Sequence, residues 1–283
     1  MQITHIAVFG AGTMGHGIAQ VAAQAGFKVA LYDIRQEFVD KGLAAIKANL
    51  DKGVEKGKVT PEQRTATLAN LRGATQVAEA AAGAQLTIEA IPEKIELKHD
   101  LFRTLDSLCP PQTIFGSNTS SLSIARLAAA TRRPDKFIGL HFFNPVHIMK
   151  LLEVVVAHGT SDETLAACKA VGEKLGKDCI VVKDFPGFAT SRLGVCLGLE
   201  AIRMVEQGVA TPQDIDKALE LGYAHPMGPL KLTDLVGLDV RLNIADYLCA
   251  ELKSDVFRAP ELMRRMVAEG KLGKKSGQGF YKW

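Results

Sequence analysis

The start of this chain constrains its fold more than any other stretch. Ile3-Thr4-His5-Ile6-Ala7-Val8-Phe9 is a strand-like apolar run that leads directly into Gly10-Ala11-Gly12-Thr13-Met14-Gly15. Ile18, Val21, Ala22 and Ala25 follow at helical spacing, Gly26 stops that helix, and Phe27–Tyr32 predicts a second strand ending in Asp33. Strand, glycine turn, helix and strand make a βαβ unit with G-x-G-x-x-G at its first turn. In such a unit Gly10 allows the tight turn, Gly12 lets the backbone approach a pyrophosphate, and Gly15 permits close helix–strand packing. The helix N-terminus offers N–H groups and partial positive charge to the phosphates, with Thr13 and Met14 completing the turn. Asp33 accepts the adenine-ribose hydroxyls, and its charge repels a 2′-phosphate, which favours NAD over NADP. Arg35, just beyond it, leaves NADP an opening.

The rest of the first half repeats the alternation. From Gln36 to about Arg72 the pattern is helical, with Val39, Leu43, Ile46 and Leu50 on one apolar face and a helix start at Thr60-Pro61-Glu62. This predicts a helical hairpin inserted at about 36–72, and from Arg35 to Arg72 there are eight Lys/Arg against five Asp/Glu. It is either a solvated hairpin or a lysine-rich arm for an anionic ligand. Further strands are expected at Leu86–Ile91, Thr113–Gly116, Phe137–Leu140, Leu151–Val156 and Cys179–Val182, with helices at Ile95–Leu108 and Asp162–Leu175. After Lys183-Asp184-Phe185-Pro186-Gly187 the pattern becomes helical: Phe188–Gly208, a capped start at Thr211-Pro212, then Leu230–Leu252 and Ala259–Glu269. The expected fold class is α/β, with a Rossmann-like dinucleotide-binding domain over 1–184 followed by an all-α domain over 185–283.

Two residues sit where apolar strands do not normally hold them. Glu153 interrupts Leu151-Leu152-Glu153-Val154-Val155-Val156, and His141 ends the run before it. A buried carboxylate must be paired, protonated or turned to water, and a turn containing Pro145 could set the two runs side by side. A neutral histidine oriented by a carboxylate is a general base working near neutral pH. The plainer reading is a half-exposed strand with Glu153 in solvent and His141 a core histidine. In an open parallel sheet, however, ligands sit beyond the carboxyl ends of the strands. Gly10–Gly15, Asp33, Glu93, Ser117–Ser121 and His141–Asn144 all fall at such ends, which supports the functional reading.

Composition excludes several other classes. With 47% hydrophobic and 23% charged residues the chain is an ordinary globular protein, and a net charge of +3 argues for neither nucleic acid nor an anionic membrane. Five scattered cysteines without a C-x-x-C pair fit a reducing compartment rather than a disulfide framework or zinc site. His147 and His158 lack carboxylate or cysteine companions at metal-ligand spacing, so no metal is expected. No apolar run is long enough to span a bilayer and no leader precedes Ile3, so the expectation is a cytoplasmic protein. The apolar character of the helical half (Val195, Leu197, Leu199, Ile202, Leu232, Leu235, Val236, Leu238) leads us to expect a homodimer formed through it.

Taken together, Gly10–Gly15, Ser117-Asn118-Thr119-Ser120-Ser121, His141-Phe142-Phe143-Asn144-Pro145, Asp184–Arg192 and the closing Leu272–Tyr281 resemble the L-3-hydroxyacyl-CoA dehydrogenases. In length and layout the chain is most similar to the short stand-alone enzymes acting on 3-hydroxybutyryl-CoA in fatty-acid metabolism. The resemblance implies NAD-dependent, reversible oxidation of an L-3-hydroxyacyl-CoA to the 3-oxoacyl-CoA. It implies His141 as the base and Glu153 as the carboxylate that orients it. Ser120 and Asn144 then contact both substrate and cofactor, and Glu93 and Lys98 lie near the nicotinamide ribose. It also implies that Asn49 and Lys56 meet CoA, which gives the lysine-rich hairpin an anionic partner. The chain departs from the pattern at Ser191, where the family has Asn holding the substrate carbonyl region, and at Cys196, where Pro or Ala is common. Two rivals stay open: a dehydrogenase of a free 3-hydroxy acid on the same scaffold, and a cofactor-binding protein without turnover. Phe142-Phe143 and the basic hairpin favour a CoA thioester over the first, and the intact His141/Glu153/Ser120 set argues against the second.

Overall fold

The computed structural model describes residues 2–283, and the chain divides between Asp184 and Phe185 into two compact units. The first is built on eight strands: β1 (His5–Phe9), β2 (Lys28–Tyr32), β3 (Leu71–Ala74), β4 (Leu86–Glu89), β5 (Ile114–Ser117), β6 (Phe137–Phe142), β7 (Leu151–Val156) and β8 (Asp178–Lys183). They form one sheet in the order β3-β2-β1-β4-β5-β6-β7-β8. The six strands from β3 to β6 are parallel, β7 runs antiparallel to β6, and β8 is parallel to β7. Helices α1 (Thr13–Gln24), α2 (Gln36–Glu55), α3 (Pro61–Ala69), α4 (Val77–Ala81), α5 (Ile95–Leu108), α6 (Ile124–Ala128) and α7 (Asp162–Lys174) connect the strands.

Central strands covered on both faces need continuous apolar runs rather than alternation, and β1, β4 and β5 are buried along almost their whole length. Ile6, Val8, Leu31, Ile88 and Leu140 of the sheet pack with Ile18 and Ala22 of α1 in one core. Phe102, Phe115 and Phe137 form an aromatic cluster with ring centroids 4.6–6.4 Å apart. The chain order reverses between β1 and β4, which opens the ligand crevice of a doubly wound sheet at their carboxyl ends.

The hairpin departs from expectation at its end. Thr60 and Gln63 form a reciprocal capping box that starts α3, but the helical stretch stops at Ala69. Leu71–Ala74, read from sequence as the tail of the hairpin, is instead the edge strand β3, paired in parallel with β2 through Val29↔Leu71 to Tyr32↔Ala74. Strand β4 is also shorter than expected, ending at Glu89 before Ala90 and Ile91.

The second unit consists of α8 (Thr190–Glu206), α9 (Pro212–Gly222), α10 (Pro229–Val236), α11 (Leu238–Leu252) and α12 (Glu261–Ala268). Its core joins Leu199 and Ile202 of α8 to Leu230, Ala245, Leu248 and Met263. The expected single helix Leu230–Leu252 is broken at Gly237, whose φ of 103° and ψ of 128° interrupt the helix. The closing segment is tied down by Asp234, which is fully buried and accepts from Phe280 N at 2.9 Å, Tyr281 N at 2.9 Å and Trp283 Nε1 at 3.0 Å. None of the helices among the described residues is long and apolar enough to cross a membrane.

Candidate active site

Backbone geometry explains the glycine turn. Gly10 has a φ of 104°, which a side chain would rarely adopt, and a Cβ there would meet Ala90 O at 2.5 Å. A Cβ on Gly15 would lie 1.6 Å from Gly10 O. Both glycines are therefore demanded by the protein's own packing. Gly12 is different: it is exposed, and a Cβ there meets no protein atom within 4 Å. The space beside it is open at the N-terminus of α1, where a dinucleotide's pyrophosphate is held in this type of unit. Asp33, one residue past β2, accepts from Ala11 N through Oδ2 and from Ile34 N through Oδ1, each at 2.8 Å. Its carboxylate thus braces the glycine turn and fixes its own orientation. The residues present fit an NAD-type cofactor.

At the other side of the sheet's carboxyl edge, β6 and β7 are antiparallel in a register that places His141 directly opposite Glu153. Directly opposed residues share a face of the sheet, so the two side chains meet. His141 Nδ1 and Glu153 Oε2 are 2.6 Å apart, with Glu153 fully buried and His141 nearly so. That is hydrogen-bond distance, and the place of the ring proton follows the tautomer. When it sits on Nδ1, the neutral ring carries its lone pair on Nε2. The ring of Phe143 packs against the imidazole at 4.4 Å between centroids. Asn118 Oδ1 accepts from Phe142 N at 2.8 Å, which binds the tip of β6 to the segment after β5.

That segment carries Ser120 and is held by a charged network. Glu93, on the rim after β4, accepts through Oε1 from Thr119 Oγ1, from Ser120 N at 3.2 Å and from Ser121 Oγ at 3.3 Å. Its Oε2 lies 3.0 Å from Lys98 Nζ. Lys98, on α5, is itself buried and donates to Glu89 Oε1 at 2.6 Å, while Ser117 Oγ donates to Glu89 Oε2 at 2.6 Å. Burial pushes the Glu89 carboxyl above its ordinary range, against the opposing pull of Lys98 and its other donors. At Glu93 burial also pushes upward, but the Lys98 charge and the Thr119 hydroxyl outweigh it, leaving the group below the usual carboxylate range. Glu89 is an addition to the residues expected from sequence, whereas Ser117 and Thr119 lie in the Ser117–Ser121 stretch already expected at the crevice. Glu89 carried the same signal as Glu153, an acid inside an apolar strand run.

The other expected residues are more dispersed. Asn144 is exposed in the loop after β6. Asn49 faces inward on α2, its Nδ2 donating to Gln20 of α1 at 3.2 Å, and Lys56 caps the same helix from an exposed position. Ser191 is in the first turn of α8, in the second unit. His147 and His158 are exposed in loops flanking β7.

Comparison with known proteins finds matches over both units. Residues 5–185 match the family model of the 3-hydroxyacyl-CoA dehydrogenase NAD binding domain, and residues 187–283 match that of the C-terminal domain. The chain is 47% identical over 281 residues to a Bacillus subtilis protein described as a probable 3-hydroxybutyryl-CoA dehydrogenase, covering 99% of this chain and 98% of that one. It is 42% identical over 287 residues to the mitochondrial hydroxyacyl-coenzyme A dehydrogenase of Sus scrofa, covering 99% and 91% of the two chains. The crystal structure of (S)-3-hydroxybutyryl-CoA dehydrogenase from Ralstonia eutropha superposes with a TM-score of 0.96 at 41% identity, covering 100% of this chain and 99% of that one. A glycine turn built for a dinucleotide, a carboxylate-bound histidine on the same sheet edge, and full-length matches in both units lead to one conclusion: this chain belongs to the 3-hydroxyacyl-CoA dehydrogenase family of NAD-dependent oxidoreductases.

Proposed function

We propose that the chain interconverts short-chain L-3-hydroxyacyl-CoA and 3-oxoacyl-CoA, with 3-hydroxybutyryl-CoA as its substrate and His141 as the acid–base group. The observation that carries this reading is the buried 2.6 Å pair of His141 and Glu153 at the carboxyl edge of the sheet. The preference for a four-carbon acyl group is supported by the Bacillus subtilis relative and the Ralstonia eutropha structure, both described as 3-hydroxybutyryl-CoA dehydrogenases.

In the oxidative direction Nε2 of His141 takes the proton of the substrate 3-hydroxyl as the C3–H bond breaks. Glu153 keeps the ring in the tautomer with its lone pair on Nε2 and stabilises the imidazolium that forms. When bound, NAD⁺ supplies the acceptor for the hydride leaving C3. Gly10, Gly12, Thr13, Met14, Gly15 and Asp33 hold its pyrophosphate and adenine ribose, while Glu93, Lys98, Ser120 and Asn144 hold its nicotinamide half. Ser120 and Asn144 also donate to the substrate 3-oxygen, where negative charge grows. Ser191 offers a hydroxyl to the thioester region, and Asn49 and Lys56 on the hairpin meet the CoA moiety. In the reverse direction the His141 imidazolium returns the proton. The helical unit leaves Leu193 69% exposed, with Leu197, Leu232, Leu235 and Val240 each about two-fifths exposed, which supports pairing with a second copy through this unit.

The test is loss of reduced-nicotinamide absorbance with acetoacetyl-CoA, run beside free acetoacetate and beside NADPH. Rapid NADH oxidation with the thioester alone is the expected result. Oxidation with free acetoacetate at an equal rate would move the assignment to a free 3-hydroxy acid. NADH binding without turnover of either would remove the catalytic reading.

A further inference from the structure

Glu89 has no part in the mechanism above, yet it is as completely buried as Glu153. It is the last residue of β4, its side chain is fully excluded from solvent, and three donors surround it. Lys98 Nζ reaches Oε1 at 2.6 Å, Ile91 N reaches the same oxygen at 2.8 Å, and Ser117 Oγ reaches Oε2 at 2.6 Å. A buried carboxylate needs donors for its remaining lone pairs as well as a counter-ion, so the donors alone do not set Glu89 apart; what they connect does. Here the single Lys98 ammonium stands between two carboxylates, and the outer one, Glu93, is 38% exposed on the rim. The remaining oxygen of Glu93 gathers the Thr119 hydroxyl, the Ser120 N–H and the Ser121 hydroxyl. Ser117, bound to Glu89, also accepts from Thr119 N at 3.3 Å. Two chains of hydrogen bonds therefore run from Glu89 to the turn that presents Ser120, one through Lys98 and Glu93 and one through Ser117.

We propose that Glu89 is a positioning residue for the dehydrogenase reaction: it anchors the Lys98 ammonium and the Ser117 hydroxyl, and through them fixes Glu93 and the Thr119–Ser121 turn that presents Ser120. The inference rests on the reading of Ser120 as a residue in contact with substrate and cofactor. With Glu89 neutral, Lys98 is held by Glu93 alone and draws that carboxylate inward, and the turn hanging from Glu93 moves with it. Displacing a reacting contact by about 1 Å costs on the order of 10²-fold in rate.

The experiment is a double-mutant cycle of Glu89→Gln and Ser120→Ala in the full chain, read as kcat and KM with acetoacetyl-CoA and NADH, with thermal unfolding followed in parallel. Glu89→Gln is expected to lower kcat about 10- to 100-fold, with a smaller change in the KM for acetoacetyl-CoA. In the Ser120→Ala background the same change is expected to cost less than about threefold, because residues in one network do not act additively. An equal loss in both backgrounds overturns the proposal, as does a Glu89→Gln protein that melts earlier yet keeps wild-type kcat. A Ser120→Ala protein with unaltered kcat removes the role of Ser120 and this inference with it. That result is distinct from a slow Ser120→Ala protein on which Glu89→Gln acts independently. If Glu89→Gln fails to fold, Ser117→Ala removes only the hydroxyl on Glu89 Oε2 and serves in the same cycle. It is expected to cost several-fold in kcat alone and nothing further beside Ser120→Ala, and an equal loss in both backgrounds overturns the proposal.

Discussion

Replacing Glu153 by Gln isolates the electrostatic part of the proposed base. The side chain keeps its shape in a fully buried site on β7, so packing is conserved while the charge 2.6 Å from His141 Nδ1 is lost. The charges of an imidazolium and a carboxylate are spread over each group, giving an effective separation of about 4 Å, and at an effective dielectric of about 20 their attraction is about 4 kcal/mol. That attraction exists only once the ring has taken the substrate proton, so its loss falls on the transition state. At about 1.4 kcal/mol per factor of ten, kcat should fall about 10³-fold. The amide adds a second penalty when its Nε2 donates to Nδ1, because the ring proton then moves to Nε2 and the base is blocked. The assay is steady-state NAD⁺ reduction by L-3-hydroxybutyryl-CoA, the direction in which His141 takes the proton, with NADH affinity measured by fluorescence titration. The expected outcome is the large loss in kcat with NADH affinity within about twofold of wild type. A kcat within tenfold of wild type would refute the role of the charge, and a parallel collapse in NADH binding would place Glu153 in the cofactor site instead.

Four other perturbations test separate links. His141→Ala should lower kcat by about 10²–10⁴-fold, the range for loss of a positioned general base, and rates near wild type would exclude His141 as that base. Gly12→Ala adds a methyl that meets no protein atom within 4 Å, so calorimetric stability should drop by at most about 1 kcal/mol, the cost of a poorer N-cap, while NADH affinity weakens. Gly15→Ala, whose methyl would sit 1.6 Å from Gly10 O, should instead destabilise the fold by about 1–3 kcal/mol or more, as overpacking does. Asp106 is buried and accepts from Arg132 Nε at 2.8 Å and Arg133 Nε at 2.7 Å. Burial pushes its carboxyl up, but the two arginines overcome this and hold it below the ordinary range. Because the folded-state group titrates below its unfolded value, its stabilisation is present above the ordinary carboxylate range and is lost as acid protonates it. Asp106→Asn should therefore cost about 2–3 kcal/mol in denaturant unfolding near neutral pH and progressively less in acid; a constant cost across pH would refute the charge-based account.

Much of the architecture was written locally. The β1–turn–α1–β2 unit follows from an apolar run, three glycines and an acid within one short stretch, because each conformation there depends on neighbours in sequence. His141 and Glu153 were legible for a related reason. A polar group in an apolar run signals that desolvation must be compensated, and only two such groups flanked the same turn. That signal states that a partner exists without naming it, and at Glu89 the partner was out of reach of sequence reasoning. Its counter-ion Lys98 looks like an ordinary charged residue of the helix α5, and only the fold buries it between carboxylates of β4 and the rim.

What the tertiary structure alone decided has the same physical character throughout. The four residues of β3 include Arg72 and Gly73 and have little strand character of their own; they are extended because the edge of β2 supplies backbone partners. Gly237 sits inside a stretch of helical periodicity, and it breaks the helix because α10 and α11 each pack against α8. Asp234 is one acid among many until the chain end returns to it with three N–H donors. The sequence by itself determined the elements whose free energy is local, together with the places where a buried charge required an answer. The tertiary structure decided which distant groups answer, because those contacts form only when the backbone has brought together residues far apart in the chain.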